Sequence, residues 1–473
     1  MLTLADIIEA ITNRRPKWGS ELITDSIVDS RKATQGALFV ALPGEQVNGH
    51  DYVQDAFDRG ATVALVDKKI DANCTLLDLR GRILPALKTA PNIPVCLIVE
   101  DSLKALQTIA YFWRRKLDLR VVGITGSVGK TTTKEIVSSV LSQRYRTMKN
   151  PGNLNNEIGL PLTILRLDES TEMAVLEMGF YVPGEIAFLC DIAKPHIGVL
   201  TNIGTVHAER AGSQDAIARG KAELVQALPP APEGVAILNY DDPLVREMAD
   251  KTDAFVFFYG LNPEADLWAD QVEGLGLDGI RFRLHFKNET IYLRVPMIGR
   301  HCVHTALRAA AVGLAEGLTW QEIVNGLRSK HTQLRLVAVR TNSGALILDD
   351  TYNASPQSML AALNLLNEIK GHKIAVLGDM LELGQYEFSG HYKVGVRVAE
   401  VADELVTIGK LAKIIAKAAR ESGFPEIAIT EFENAQEAIA FLQNNLHEDD
   451  VVLVKGSRGM QMEVIVTALE ERS

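Results

Sequence analysis

Between Leu119 and Glu135 the chain reads Leu-Arg-Val-Val-Gly-Ile-Thr-Gly-Ser-Val-Gly-Lys-Thr-Thr-Thr-Lys-Glu. The apolar run Val121–Ile124 predicts a buried strand, Gly126-Ser127-Val128-Gly129 a break, and Lys130 onward a helix start. Glycines let backbone N–H groups turn inward, and a helix N-terminus adds partial positive charge, so this order builds a phosphate cradle. In such a cradle Lys130 meets the β- and γ-phosphates and the Thr131 hydroxyl reaches Mg²⁺. Ile124 stands where the strict G-x-x-x-x-G-K-[ST] pattern has its first glycine, leaving the shorter G-x-x-G-K-T. The bland alternative is a Gly-rich turn with a chance Lys-Thr, but strand, glycines, Lys-Thr and helix in that order favour a nucleoside triphosphate site.

Three further side chains could carry chemistry. Glu177 ends the apolar strand Ala174-Val-Leu-Glu, where an acid is well placed to hold Mg²⁺ beside a phosphate loop on a neighbouring strand. Its plain alternative is a solvated strand-end carboxylate. His207 lies one loop beyond the strand ending at Asn202-Ile203-Gly204, which suits a metal or substrate contact as well as a structural histidine. Lys221, in Ile217-Ala-Arg-Gly-Lys-Ala-Glu-Leu224, reads by itself as an exposed helix lysine.

The elements that position these residues fall into three blocks. A 473-residue chain corresponds to about three domains. The first block has short strands at Ala37–Ala41, Ala61–Val66 and Val95–Val99, a helix from Tyr52 to Arg59 and another from about Ser102. The second opens with the phosphate loop and continues with strands Met173–Glu177 and Ile197–Ile203, each followed by a helical pattern. That βα alternation predicts a parallel sheet with helices on both faces. From Phe255 to Val295 the rhythm changes to strands and turns, read as an antiparallel patch attached to the central domain, and a helix-rich stretch runs from His301 to about Lys330. The third block has strands at Ala345–Asp349, Lys373–Leu377, Glu404–Ile408 and Val451–Val454, with Ser355 and Pro356 marking a helix start. Asp350, Asp379 and Lys455 fall at or just past strand ends, where ligands of such sheets sit. The expected fold is α/β in three domains: 1–112, a smaller N-terminal α/β domain; 113–331, a central P-loop domain with a mostly parallel sheet; and 332–473, a Rossmann-like C-terminal domain.

A net charge of −11 argues against nucleic acid as a partner. Cys74, Cys96, Cys190 and Cys302 are widely spaced with no C-x-x-C pair, as expected of reduced thiols in a cytoplasmic protein. The start of the chain lacks the basic and apolar segments of a signal peptide, and no apolar run approaches the ~18–20 residues of a membrane span.

Taken together, Gly123-Ile-Thr-Gly-Ser-Val-Gly-Lys-Thr131, Asn153-Leu-Asn-Asn-Glu-Ile-Gly159, Leu176-Glu-Met-Gly179 and Asn202-Ile-Gly-Thr-Val-His207 resemble the Mur ligases of peptidoglycan synthesis. Asp349-Asp-Thr-Tyr-Asn-Ala354, Gly378-Asp-Met-Leu-Glu-Leu-Gly384 and Val454-Lys-Gly-Ser-Arg458 complete the pattern, and Asp29 to Gly44 with Asn48-Gly-His50 is similar to the family's UDP-sugar domain. The Asn-Leu-Asn-Asn and Asp-Asp-x-Tyr-Asn-Ala signatures look like the branch that joins D-alanyl-D-alanine to a UDP-N-acetylmuramoyl-tripeptide.

The resemblance implies an ATP- and Mg²⁺-dependent amide-bond ligase working through an acyl phosphate, a monomer with no membrane insertion. It implies that 1–112 binds the UDP-muramyl substrate through Ser30 and Arg31, and that Asn155 and Asn156 line its peptide region. Thr125, Gly126, Ser127, Val128, Gly129, Lys130, Thr131, Thr305, Arg335 and Asp350 fall at nucleotide positions. Thr131, Glu177, His207 and Lys221 fall at metal positions, Lys221 as a lysine that can be carbamylated, and Lys130, Lys221 and His207 at catalytic ones. The family's Gly-x-His-Asn-x-x-Asn stretch reads here Gly299-Arg-His-Cys-Val-His-Thr305, so two amides give way to a thiol and a single hydroxyl. Leu334 replaces the glycine usual before Arg335. The rival readings are the ligase that adds the third amino acid, a folylpolyglutamate synthetase-like ligase, and a non-catalytic nucleotide-binding switch or regulator.

Overall fold

The computed structural model describes residues 1–44, 47–82, 90–206, 208–329 and 337–470. Among these, three sheets form. The first has five strands, all parallel, in the spatial order Ser26–Ile27, Leu38–Val40, Val63–Val66, Val95–Ile98, Thr75–Asp78. The last has six, in the order Val337–Arg340, Leu346–Asp349, Asp450–Lys455, His372–Gly378, Glu404–Ile408, Ile429–Phe432, and only the first of these runs antiparallel to its neighbour.

The central sheet has nine strands. Thr147–Lys149, Met173–Glu177, Arg120–Thr125, Ile197–Leu200, Val235–Asn239 and Phe255–Gly260 pair in parallel. Leu267–Gly274 joins Phe255–Gly260 in parallel through two residues, and Ile280–Phe286 and Glu289–Val295 then add antiparallel strands. The antiparallel patch expected over 255–295 is attached to the central domain as a continuation of its sheet, and is corrected in one respect: Phe255–Gly260 and Leu267–Gly274 pair in parallel before the antiparallel strands begin. Five alternating buried residues, Ile280, Phe282, Leu284, Leu293 and Val295, face the same apolar cluster as Val122 and Ile124, so the extension shares one side of the central core.

Arg120–Thr125 lies between Met173–Glu177 on one side and Ile197–Leu200 on the other. Chain connections diverge there, which is where open α/β sheets leave a crevice at the carboxyl ends of their strands. On the opposite face, one apolar cluster runs without a break from Leu4, Ile7 and Ile8 through Leu106, Ile109 and Trp113 to Leu160, Leu176 and Leu189. The N-terminal and central layers therefore share a core, while the C-terminal sheet is covered by two clusters of its own. All four cysteines are thiols.

The seam between the first two layers also carries charge. Asp6 closes a capping box with Thr3 on helix Leu4–Thr12 and pairs with Arg15 at 2.7 Å and with Lys116, from helix Ser102–Lys116, at 2.9 Å. Burial alone would raise its pKa, but the hydrogen bonds from Thr3, Arg15 and Lys116 outweigh it and hold the carboxyl at about 2 instead of 3.8. A depressed carboxylate pKa stabilises the fold fully above the unfolded value and loses that contribution as pH falls through the folded one. Asp6→Asn should therefore lower the unfolding free energy by about 1–2 kcal/mol at neutral pH and by almost nothing near its titration point. Urea unfolding of both proteins at the two pH values checks this, and an equal loss at both would sink it.

Candidate active site

Strand Arg120–Thr125 delivers the loop Gly126–Gly129 into helix Lys130–Leu141. Gly126 has φ +146°, and a Cβ there would stand 1.8 Å from Thr201 Oγ1, so glycine is required. Gly129, with φ +82°, is the N-cap of the helix. The loop is pinned from the neighbouring strand end: Ser127 N–H donates to Asn202 O at 2.9 Å, Val128 N–H to Asn202 Oδ1 at 2.9 Å, and Ser127 Oγ accepts from Gly204 N–H at 2.8 Å.

Two lysines converge on one carbonyl. Lys130 Nζ donates to Gly126 O at 2.9 Å, and Lys221 Nζ reaches the same oxygen at 3.0 Å from helix Gln214–Gln226. Lys221 is 1% exposed, which overturns its reading as a solvated helix lysine. The reason is packing: Gly220 brings its helix so close to Phe180 that a Cβ would lie 2.1 Å from the ring. The amine then sits 4.6 Å from the ring centroid. Burial, reinforced by the positive charge of Lys130, pulls the Lys221 pKa well below its ordinary 10.5, which shifts the balance toward the neutral amine.

Glu177, 2% exposed, accepts from Thr131 Oγ1 at 2.7 Å through Oε2 and from Asn155 Nδ2 at 2.9 Å through Oε1. Lys134 Nζ lies 3.8 Å from Oε2 and donates to the carbonyls of Asn150 and Gly152. Asn150 in turn accepts from Glu177 N–H at 2.9 Å and donates to Leu154 O at 2.8 Å. Lys134 and Asn150, both fully buried, escaped the sequence reading. Their signals were present: Lys134 is one helical turn beyond Lys130, and Asn150 precedes a proline.

Lys130, Thr131 and Glu177 open onto a cavity of about 620 Å³ between the central and C-terminal sheets, while Lys221, Lys134 and Asn150 lie behind its lining. Ser127, Val128, Gly129, Lys130, Thr131, Asn155, Asn156, Glu177, Thr305 and Asp350 line it. From the C-terminal side Lys455, 1% exposed, pairs with Asp350 at 2.7 Å and donates to Asn353 O at 2.8 Å. Thr125 turns its hydroxyl to Met178 O at 3.1 Å, and neither it nor Gly126 lines the cavity, which the loop meets from Ser127 onward. Asn156 Oδ1 accepts from Gly159 N–H at 2.9 Å at the start of helix Gly159–Ile164. Asp379 is a helix cap, accepting from Leu411 and Ala412 N–H. Ser30 and Arg31 are in the N-terminal layer and do not line the cavity; Ser30 is buried, and Arg31 makes a two-point pair with Asp29 in solvent. His207 and Arg335 lie outside the described residues.

The donor set around Thr131 suits Mg²⁺. That ion prefers hard oxygen donors and is held by one or two carboxylates plus ligand phosphates, and here one carboxylate and one hydroxyl meet beside a phosphate cradle. Among the described residues no cluster of three or more His, Cys, Asp or Glu side chains forms a dedicated cage.

Family models match along the chain: the Mur ligase middle domain over 124–313, the Mur ligase glutamate ligase domain over 334–458 and the Mur ligase family catalytic domain over 26–92. The UDP-N-acetylmuramoyl-tripeptide–D-alanyl-D-alanine ligase of Bacillus subtilis is 36% identical, covering 99% of this chain and 98% of the relative. The crystal structure of MurF from Acinetobacter baumannii superposes with a TM-score of 0.84 at 31% identity, covering 100% of both chains. MurF ligase from Thermotoga maritima in complex with ADP gives 0.77 at 26% identity, over 97% of both. With a loop, carboxylate and lysines arranged as described and likeness extending over the whole length, the chain belongs to the Mur ligase family.

Proposed function

We propose that this chain is the ATP-dependent ligase that adds D-alanyl-D-alanine to UDP-N-acetylmuramoyl-tripeptide, the last cytoplasmic step in making the pentapeptide precursor of peptidoglycan. The observation that carries it is the full-length likeness to a ligase of that name, joined to a phosphate loop whose Thr131 already contacts Glu177. The rival ligases and the switch reading have no comparable support. No described helix is long and apolar enough to cross a membrane, and this reading takes the chain to be a monomer acting in the cytoplasm.

In this reading the loop N–H groups and Lys130 bind the phosphates of ATP. Thr131 and Glu177, with His207, would hold Mg²⁺, which shields phosphate charge from the approaching substrate carboxylate. The carboxylate oxygen attacks the γ-phosphorus, ADP leaves, and an acyl phosphate forms. The amine of D-alanyl-D-alanine then adds to the acyl carbon and inorganic phosphate departs from the tetrahedral intermediate. A negative carboxylate approaches a negative phosphate only where positive charge is concentrated, which is what Lys130 supplies. Burial shifts Lys221 toward the neutral amine, the form that adds CO₂, and its carbamate would present an anionic ligand to a second Mg²⁺. Ser30 and Arg31 bind the UDP-muramyl moiety, Asn155 and Asn156 flank the peptide, Arg335 and Asp350 contact the nucleotide, and Thr305 lines the cavity. The wall contributed by Asp350 and Lys455 excludes water from the acyl phosphate when the sheets approach.

With ATP, Mg²⁺ and a UDP-muramyl tripeptide, sustained ADP release should require D-alanyl-D-alanine, and L-alanyl-L-alanine should fail because a pocket shaped for one stereochemistry leaves polar groups unpaired with the other. Vigorous ADP release with ATP and water alone would move the protein to a hydrolase or switch. Preference for a single free amino acid would move it to the neighbouring ligase. The same assay over a panel of tripeptides identifies the third residue.

A further inference from the structure

Helix Cys302–Ala315 carries an arginine, Arg308, in a position where it does not belong by composition. The helix is otherwise Ala- and Val-rich and packs against Lys130–Leu141, and Arg308 is only 6% exposed. Its side chain folds back along the helix: Nε donates to His304 O at 3.1 Å and Nη2 to Thr305 Oγ1 at 2.9 Å. The guanidinium carbon stands 5.8 Å from the Tyr259 ring centroid, beside its hydroxyl. These partners are neutral, and none of the ion pairs among the described residues includes Arg308. A buried guanidinium with five N–H donors and no counter-charge is an expensive arrangement.

Its position says what would supply that charge. Arg308 lines the cavity, and its Nη2 and Nη1 atoms lie 3.6 and 3.8 Å from where a Cβ on Gly129 would project. Gly129 is the residue at which the phosphate loop enters its helix, where an anion meets aligned N–H groups. A planar fork beside that point matches two oxygens of one phosphate, the geometry arginine recognises best.

We propose that Arg308 is a nucleotide-binding residue, a second fixed cation that takes a phosphate of the nucleotide against the phosphate loop, with Thr305 acting on the ligand through it. This rests on the reading of the loop as an ATP site and deepens it. Thr305 then has a different part from the one its place in the sequence implies: its hydroxyl orients a guanidinium from the adjacent turn, so the strength lost with the amides at 302 and 305 is regained on the phosphates.

The test compares the full-length protein with Arg308→Met, Arg308→Lys and Thr305→Val by calorimetric titration of Mg-ADP and of adenosine, and by thermal unfolding with and without Mg-ADP. Arg308→Met should bind Mg-ADP at least ~10-fold more weakly, bind adenosine as the parent does, and unfold at the same or a higher temperature when no nucleotide is added, since a buried unpaired charge has been removed. The Mg-ADP-induced rise in Tm should shrink accordingly. Arg308→Lys should recover part of the affinity, and Thr305→Val should lose less than Arg308→Met. Parent-like Mg-ADP affinity in Arg308→Met overturns the proposal. So does equal weakening for adenosine, or a fall in Tm with the Mg-ADP-induced rise intact, because each marks a structural role. If Arg308→Met does not fold, parent-like Mg-ADP affinity in both Arg308→Lys and Thr305→Val overturns it. Failure of the parent itself to bind Mg-ADP would instead remove the ATP-site reading.

Discussion

Replacing Lys130 by alanine is expected to cut the rate of ligation by about 10³-fold or more and to leave the fold as it is. The side chain contributes to no apolar cluster; its amine rests on the loop carbonyls of Gly126 at 2.9 Å and Ser127 at 3.5 Å. The charge it brings rests on the ATP phosphates and matters most as negative charge moves from the carboxylate to the departing ADP, so its loss should fall on kcat more than on the KM of the tripeptide. Rates of ADP release, read beside circular dichroism and the unfolding temperature, check both halves. Near-normal turnover would remove the loop from the chemistry.

The second large effect belongs to Lys221. Lys221→Ala should lose about 10²-fold or more in ligation if the amine carries a metal-binding carbamate, and acetate or formate should restore part of it by entering the space left behind. Stability gives an independent reading. Because burial holds the folded-state pKa below 10.5, the unfolded chain takes up a proton that the folded chain does not, and stability rises with pH until 10.5 is passed. Lys221→Met removes that linkage, so in carbonate-free buffer the difference in unfolding free energy between variant and parent should move in the parent's favour as pH rises toward 10.5. Full activity in Lys221→Ala, with a pH-independent difference, would leave the residue a packing element.

These two lysines show where a sequence is readable and where it stops. Lys130 is legible because its surroundings are local: four residues of turn, a strand before and a helix after are all written in order. Lys221 is not, because its burial depends on Phe180 and Gly126, 41 and 95 residues away in the chain, and only the glycine beside it hints at close packing. Arg308 is hidden for the same reason, since a lone arginine on a helix is ordinarily solvated. The three-layer α/β plan followed from apolar runs alternating with helical periods, and the helix at Pro356 began where Ser355 announced it. Val235–Asn239 went unseen because a short apolar run carries no period of its own, and Thr75–Asp78, Thr147–Lys149, Val337–Arg340 and Ile429–Phe432 because they are short edge strands with little burial pattern.

The unbroken apolar cluster joining the first two layers sets up a division of labour in any large motion. Prying those layers apart would wet the aliphatic side chains their common cluster holds between them, whereas the C-terminal layer meets the central one through polar groups, Gln357 against Gly204 and the pairs Arg300–Glu368 and Arg210–Glu382, beside a small apolar patch at Ile298 and Tyr386. Such polar contacts exchange readily with water. In the proposed reaction the two layers that share an apolar core would keep a constant separation, and a closing motion would fall to the C-terminal layer, which brings Asp350 and Lys455 to the cavity. A ligand bridging the two sides of the cavity would then work against those polar contacts and the small apolar patch, and leave the larger oil-like seam unstrained.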